Sequence, residues 1–184
     1  MQLFGERGFE NTTVAEIAER AGLSERTFFR HFADKREVLF AGATELQDLL
    51  VTTVAEAPAD LAPIDAVALG LDAMAGVLQE RHGFARQRQA IIAANPELQE
   101  RELIKLASLA SATAQTLRAR GVPEPAASLA AEAGIAAFRI AFEGWIRQPG
   151  EQDYTELIRQ ALDQLRAVTA GSGELTAAPA AGRG

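Results

Sequence analysis

Residues 11 to 39 constrain the fold more than any other stretch, because they write two short helices, a glycine between them and the start of a third. Thr13 followed three positions later by Glu16 is a capping box, in which each side chain satisfies an amide that the first helical turn leaves orphaned. A helix is therefore predicted from Val14, with Val14, Ile17, Ala18 and Ala21 on its buried face. Gly22 can adopt the left-handed conformation that ends a helix cheaply. Leu23 is expected to seal the corner, and Ser24 to cap the next helix. Phe28 and Phe32, four apart, face Ile17 and Ala18, which leaves Glu25, Arg26, Thr27, Phe29, Arg30 and His31 outside. Asp34 with Glu37 repeats the capping pattern and starts a third helix at Lys35, whose ammonium is expected beside the amide-rich helix start.

This is the layout of a helix-turn-helix DNA reader, in which the second helix enters the major groove. The stretch resembles the TetR family of bacterial transcriptional regulators at Thr13, Ile17, Ala18, Ala21, Gly22, Ser24, Thr27, Phe28, Phe29, His31, Phe32 and Lys35. The resemblance implies a recognition helix from Ser24 to Phe32. It puts Thr13, Phe29, His31 and Lys35 near phosphates and Glu25, Arg26 and Thr27 near base edges, with Arg26 suited to a bidentate guanine contact.

Three departures from the family pattern matter. Phe29 stands where the family often has Tyr, so a hydroxyl contact to phosphate is lost. The family's first helix is longer, whereas this sequence opens Met1-Gln2-Leu3-Phe4-Gly5-Glu6-Arg7-Gly8-Phe9; a chain with so short a first helix is expected to fold or bind less well than a longer form. Across residues 1 to 46, six bases face eight acids, a net of about −2. Phosphate affinity is then expected from the local cluster Arg26, Arg30, Lys35 and Arg36.

The remaining sequence reads as all-helical, since alanine and leucine dominate and proline and glycine fall at helix boundaries. The expected architecture is an N-terminal three-helix helix-turn-helix domain (1–46), a larger C-terminal helical ligand-binding and dimerisation domain (47–170) and a loose tail (171–184). Helices are predicted over Lys35 to about Glu56, Pro63 to Arg81, Phe84 to Ala94 and Pro96 to Arg120, with a break at His82-Gly83 and His82 ending a helix. Glu124 to Arg147 is apolar nearly all round, so it must be covered on both sides, and its small residues would allow close approach. Asp153 and Glu156 cap a last helix with Leu157, Ile158, Ala161, Leu162, Leu165 and Val168 on one stripe. Together these two suggest a two-fold four-helix dimer interface, which would set the readers roughly 34 Å apart on a near-palindromic operator.

TetR-type regulators hold a small molecule among the helices of the larger domain. The resemblance assigns the wall here to Leu71, Met74, Leu78, Phe84, Ile91, Leu106, Leu109, Phe138, Phe142 and Trp145. Taken one at a time, such residues at helical spacing are more often plain core than ligand wall. The stretch Arg86-Gln-Arg-Gln-Ala-Ile-Ile-Ala-Ala-Asn-Pro-Glu-Leu, with Phe142-Glu-Gly-Trp-Ile, is also similar to the C-terminal domain of the mycofactocin-regulator group. That similarity implies an acyl-CoA-like ligand, with Arg86, Arg88, Arg101 or Lys105 at its phosphates; a solvated helix face is the alternative for those cations.

Other chemistry finds little support. The net charge of −7 argues against general nucleic-acid coating, and the absence of cysteine removes disulfides and thiolate chemistry. The two histidines lie in different domains, no catalytic constellation or metal-ligand spacing is visible, and neither an enzyme nor a cofactor is expected. The longest apolar run, near Ala126 to Ile146, is interrupted by Glu132, Arg139 and Glu143, so no membrane association is expected. The resulting expectation is a cytoplasmic, homodimeric, ligand-responsive regulator of transcription, a repressor bound to a double-stranded DNA operator and released by a small effector. The alternative is a helical small-molecule-binding or scaffolding protein that does not read DNA.

Overall fold

Thr13 begins α2 (Val14–Arg20) as a reciprocal capping box: its hydroxyl accepts from the Glu16 amide, and the Glu16 carboxylate accepts from the Thr13 amide at 2.8 Å. Gly22 takes a left-handed φ of 68°, which lets the Leu23 amide return to the Ala18 carbonyl at 2.8 Å and closes the helix. Ser24 then caps α3 (Glu25–His31), accepting from the Thr27 amide at 3.2 Å. Before them, α1 (Gln2–Arg7) buries Leu3 and Phe4.

The computed structural model describes residues 1–147 and 152–170, and all regular structure among them is helical. The expected tail at 171–184 lies outside the described residues. After the reader come a 3-10 segment (Lys35–Phe40), α4 (Ala43–Glu56), α5 (Pro63–Gln79), α6 (His82–Ala93), α7 (Pro96–Ala119), α8 (Ala126–Arg147) and α9 (Tyr154–Thr169).

Four local expectations are corrected. The single helix from Lys35 to Glu56 is broken, because Gly42 adopts φ 86° and only α4 beyond it is regular α-helix. Arg88 Nε donates to the Leu39 carbonyl oxygen at 2.7 Å, so the segment before the break is also held from α6. The Asp34 cap is one-sided, since its carboxylate accepts from the Arg36 and Glu37 amides while the Glu37 carboxylate is drawn away to Arg101. His82 opens α6 rather than ending the helix before it, its Nε2 lying 3.2 Å from the Trp145 carbonyl oxygen and its ring against the Trp145 ring. Ala21 and Leu23 are exposed, because the α2–α3 corner is held by backbone bonds and caps without an apolar seal.

The larger core gathers Leu50 and Val54 of α4, Val67 and Leu71 of α5, Leu117 of α7, Ala127 and Trp145 of α8, and Tyr154 and Ile158 of α9. Gly134 lies so close to Val67 that any side chain there would collide, and Gly70 meets Leu50 in the same way. Part of the apolar surface of α8 is thus covered within the chain. What stays open is the stripe Leu129, Ala136 and Ile140, with Val168 on α9.

A second cluster joins Phe4, Phe9, Leu39 and Phe40 of the reader to Ile91 and Ile92 of α6 and Leu98 of α7. The reader's core is therefore completed by residues far along the chain. Arg88 adds its guanidinium over the Phe40 ring at 5.0 Å.

Candidate functional site

The outer face of α3 presents Glu25, Arg26, Phe29, Arg30 and His31 to solvent, flanked by the exposed Ser24 and Thr13, with Thr27 half-buried. Phe29 is 54% exposed while Phe28 beneath it is 3% exposed and packs edge-on against it, so the helix is anchored by one ring and offers the other. The Ser24 and Thr27 hydroxyls are 3.0 Å apart, and Arg30 Nη2 lies 3.5 Å from His31 Nε2.

Charge pairing divides the reader's cations sharply. Arg7 pairs with Glu16, Arg20 with Glu6 at 3.6 Å, and Arg36 with Asp34 at 2.5 Å. The Arg36 partner holds the Asp34 carboxyl below the usual carboxylate range, and the Thr13 bonds do the same for Glu16. Arg26 and Arg30 alone among the reader's arginines have no carboxylate within 4.0 Å among the described residues.

Lys35 stands apart. Its Nζ donates to the carbonyl oxygens of Phe9 at 2.8 Å, Glu10 at 3.1 Å and Thr12 at 3.1 Å. An ammonium has three donors, and all three are taken. The side chain expected near phosphate instead ties down the loop between α1 and α2.

Behind the reader, the helices line a cavity of about 940 Å³ that is partly open to solvent. Of the residues expected at a ligand, Met74, Leu78, Phe84, Arg88, Lys105, Leu106, Leu109, Phe138 and Phe142 line it. The others do not. Leu71 is sealed in the main core, and Ile91 belongs to the reader's core although its α6 neighbours Gln89 and Ala93 line the cavity. Arg86 points to solvent. Trp145 stacks on Tyr154 with ring centroids 4.7 Å apart and donates to the Gln152 carbonyl oxygen at 3.2 Å, so it supports the wall from behind.

Several lining residues were not anticipated. Val77 falls at helical spacing with Met74, Leu78 and Arg81, and that period was visible in the sequence. Gln89, Gln99 and Glu102 also face the cavity, and no local pattern marks them. The Gln89 side-chain oxygen is buried with no hydrogen-bond partner. Arg88 Nη1 binds Glu102 at 2.9 Å, so this cation is balanced by a neighbour within the lining.

The cavity touches the reader directly. Leu39, Phe40, Ala41 and Gly42 form part of its wall, and Lys105, also lining it, lies 3.5 Å from Glu37 of the 3-10 segment. Arg101 of α7 grips the same Glu37 carboxylate through two nitrogens. No cluster of metal-ligating side chains occurs among the described residues, and no helix among them is long and apolar enough to cross a membrane.

Residues 1–41 match the family of bacterial regulatory proteins called tetR, and residues 61–170 match the MftR C-terminal domain. The HTH-type transcriptional regulator TcmR of Streptomyces glaucescens is 34% identical over 80 residues, 44% of this chain; the chain spans about a third of that relative, 35% of its length. A Mesorhizobium loti protein assigned to the TetR-family regulators aligns with TM-score 0.60 at 24% identity, over 92% of this chain and 91% of that one. FadR of Thermus thermophilus, a TetR family transcriptional repressor crystallised in complex with lauroyl-CoA, aligns with TM-score 0.57 at 21% identity, over 100% of this chain and 95% of that one. A capped two-helix reader packed on a hollow helical domain, with matches that cover both parts, settles the assignment: the chain belongs to the TetR family and carries an MftR-type C-terminal domain.

Proposed function

We propose that this chain is a ligand-responsive, homodimeric regulator of transcription that represses by occupying an operator and leaves it when an effector fills the cavity. The observation that carries the DNA half of this reading is the pair Arg26 and Arg30, unpaired by carboxylates on the exposed face of a well-capped helix. Arg26 reads a base edge, Arg30 and the helix start meet phosphate, and Thr13, Ser24, Glu25, Thr27, Phe29 and His31 frame the contact. Lys35 serves this surface by fixing the loop behind it.

The ligand half rests on the cavity, whose volume falls in the range of small-molecule sites and whose wall is largely apolar. An apolar or acyl-CoA-like effector suits it, the class of the lauroyl-CoA bound by the Thermus thermophilus FadR. The exposed stripe of Leu129, Ala136, Ile140 and Val168 supports pairing through α8 and α9, because apolar surface of this kind is stabilised by burial against a second copy. Effector and operator then prefer different settings of the two readers, with a coupling free energy of about 1 to 3 kcal/mol.

The test is fluorescence anisotropy on DNA flanking the chain's own gene. Arg26→Ala is expected to relax base preference at one operator position while binding persists. Equal loss on operator and scrambled DNA would remove Arg26 from its role. The reading of the chain as a ligand-binding protein that ignores DNA draws on the acidic reader and its internally occupied Lys35. Failure of every flanking fragment to bind, with ligand binding intact, selects it.

A further inference from the structure

Two cations occupy the cavity wall and the reader's fastening at once. Lys105 lines the cavity and lies 3.5 Å from Glu37 Oε2; Arg88 lines it and donates to the Leu39 carbonyl oxygen at 2.7 Å. Glu37 and Leu39 both belong to the 3-10 segment, and Leu39 is 1% exposed in the reader's core. Whatever draws these cations inward draws on the reader.

The charge balance says what would draw them. Within 4.0 Å and among the described residues, the three cations Arg88, Arg101 and Lys105 pair with two carboxylates, Glu37 and Glu102, which leaves this group one cation in excess. Lys105 is the least committed, since 3.5 Å to Glu37 Oε2 is beyond a normal hydrogen bond, while Arg101 holds the other carboxylate oxygen, Oε1, through two nitrogens. Arg88 spends Nε on Leu39 and Nη1 on Glu102, which leaves Nη2 without a partner among the described residues. Beside it, the Gln89 side-chain oxygen is buried and unpartnered, and an amide can turn to donate or accept. Elsewhere the wall includes Met74, Val77, Leu78, Leu106, Leu109 and Phe138, together with the charged Glu45, Arg81, Arg139 and Glu143.

We propose that Lys105, Arg88 and Gln89 form an anion subsite inside the cavity, which takes the carboxylate or phosphate end of an otherwise apolar ligand. The ligand's anion competes with Glu37 for Lys105 and draws on the Arg88 guanidinium that also binds the Leu39 carbonyl, so filling the subsite loosens the segment Lys35–Phe40 and with it the reader, while Arg101 keeps its hold on Glu37. By linkage, the setting in which Glu37 keeps Lys105 binds the anion less tightly, which supplies the differential affinity a switch requires. This inference rests on the ligand-binding reading above and adds the head-group chemistry and the element it moves.

Decanoate, decyl phosphate and 1-decanol share one chain and differ at the head. Calorimetry on the full chain is expected to show the two anions binding about tenfold or more tighter than the alcohol, the scale of a charge-assisted hydrogen bond. Their relative affinities then distinguish a carboxylate from a phosphate ligand. Lys105→Met is expected to erase the preference, and Glu37→Gln, which releases Lys105, to tighten decanoate. Hydrogen exchange over residues 35–42 is expected to rise with decanoate and to stay unchanged with decanol. Equal affinity for all three probes, or a preference that survives in Lys105→Met, overturns the anion subsite while leaving the cavity reading intact. Binding of none of them overturns both.

Discussion

The Lys35 ammonium sits 4.5 Å from the centre of the Phe9 ring and donates to the carbonyl oxygen of the same residue at 2.8 Å. One side chain thus covers an aromatic face and satisfies the end of the α1–α2 connection. A lysine that resembles a phosphate contact in sequence is spent on holding the reader together.

Lys35→Met is accordingly expected to cost stability, about 2 kcal/mol, since a charged donor to several carbonyls is lost. Urea denaturation measures it. Operator affinity should fall with the folded fraction while the slope of log K against log salt stays unchanged. Arg30→Ala should do the reverse, leaving stability within about 0.5 kcal/mol and reducing that slope by about 1.

Arg120, at the C-cap of α7, clamps the end of α4. Nη1 donates to the carbonyl oxygens of Val54 at 3.0 Å, Ala55 at 3.1 Å and Ala57 at 2.6 Å, and Nη2 to that of Pro58 at 2.8 Å. The Val54 and Ala55 carbonyls belong to the last turn of α4, which cannot satisfy them itself, and those of Ala57 and Pro58 follow it at the negative end of the helix dipole. Arg120→Met is expected to destabilise by about 2 to 3 kcal/mol, read from the shift in thermal midpoint. Arg120→Lys should rescue only part of it, because an ammonium lacks the planar fork.

Gly134 and Gly144 lie on the same helix and should respond oppositely to alanine. A Cβ at Gly134 would strike Val67, whereas none at Gly144 meets any atom within 4 Å. Gly134→Ala is expected to cost about 1 to 3 kcal/mol by overpacking. Gly144→Ala should be neutral or stabilise by up to about 1 kcal/mol through helix propensity. Equal midpoints for the two variants in denaturant would contradict the close approach of α5 and α8.

Stability should fall at both pH extremes for identifiable reasons. Tyr154, the only tyrosine, donates its hydroxyl to the Phe138 carbonyl oxygen at 3.1 Å, and burial pushes its ionisation far above the ordinary value. Its contribution is complete below the unfolded value of about 10 and is lost as pH rises beyond it. Tyrosinate absorbance at 295 nm should therefore appear together with loss of helical circular dichroism, not before it. On the acid side, Asp34 and Glu16 are held below their ordinary range by Arg36 and Thr13 respectively. Their contribution is present above about pH 4 and lost as pH falls, which Asp34→Asn should partly remove from the acid limb.

Features that depend on neighbours three or four residues apart can be read directly from the order of the residues. The Thr13–Glu16 box, the Ser24 cap, the left-handed Gly22 and the prolines that open α5 and α7 are local hydrogen-bond and steric choices, and each was legible. So was the exposed set on α3, because one helical period fixes which side chains share a face. The use to which a side chain is put was decided elsewhere. Lys35 binds residues more than twenty positions earlier, and Arg88 takes the Leu39 carbonyl 49 positions away, beside the left-handed Gly42 where the expected helix to Glu56 is interrupted. Ile91 and Trp145 have the apolar character of a ligand wall, yet the first completes the reader and the second backs the cavity through Tyr154. Polar donors and apolar faces are generic in sequence; which partner wins them depends on the chain's return path, and only the packed tertiary structure fixes that.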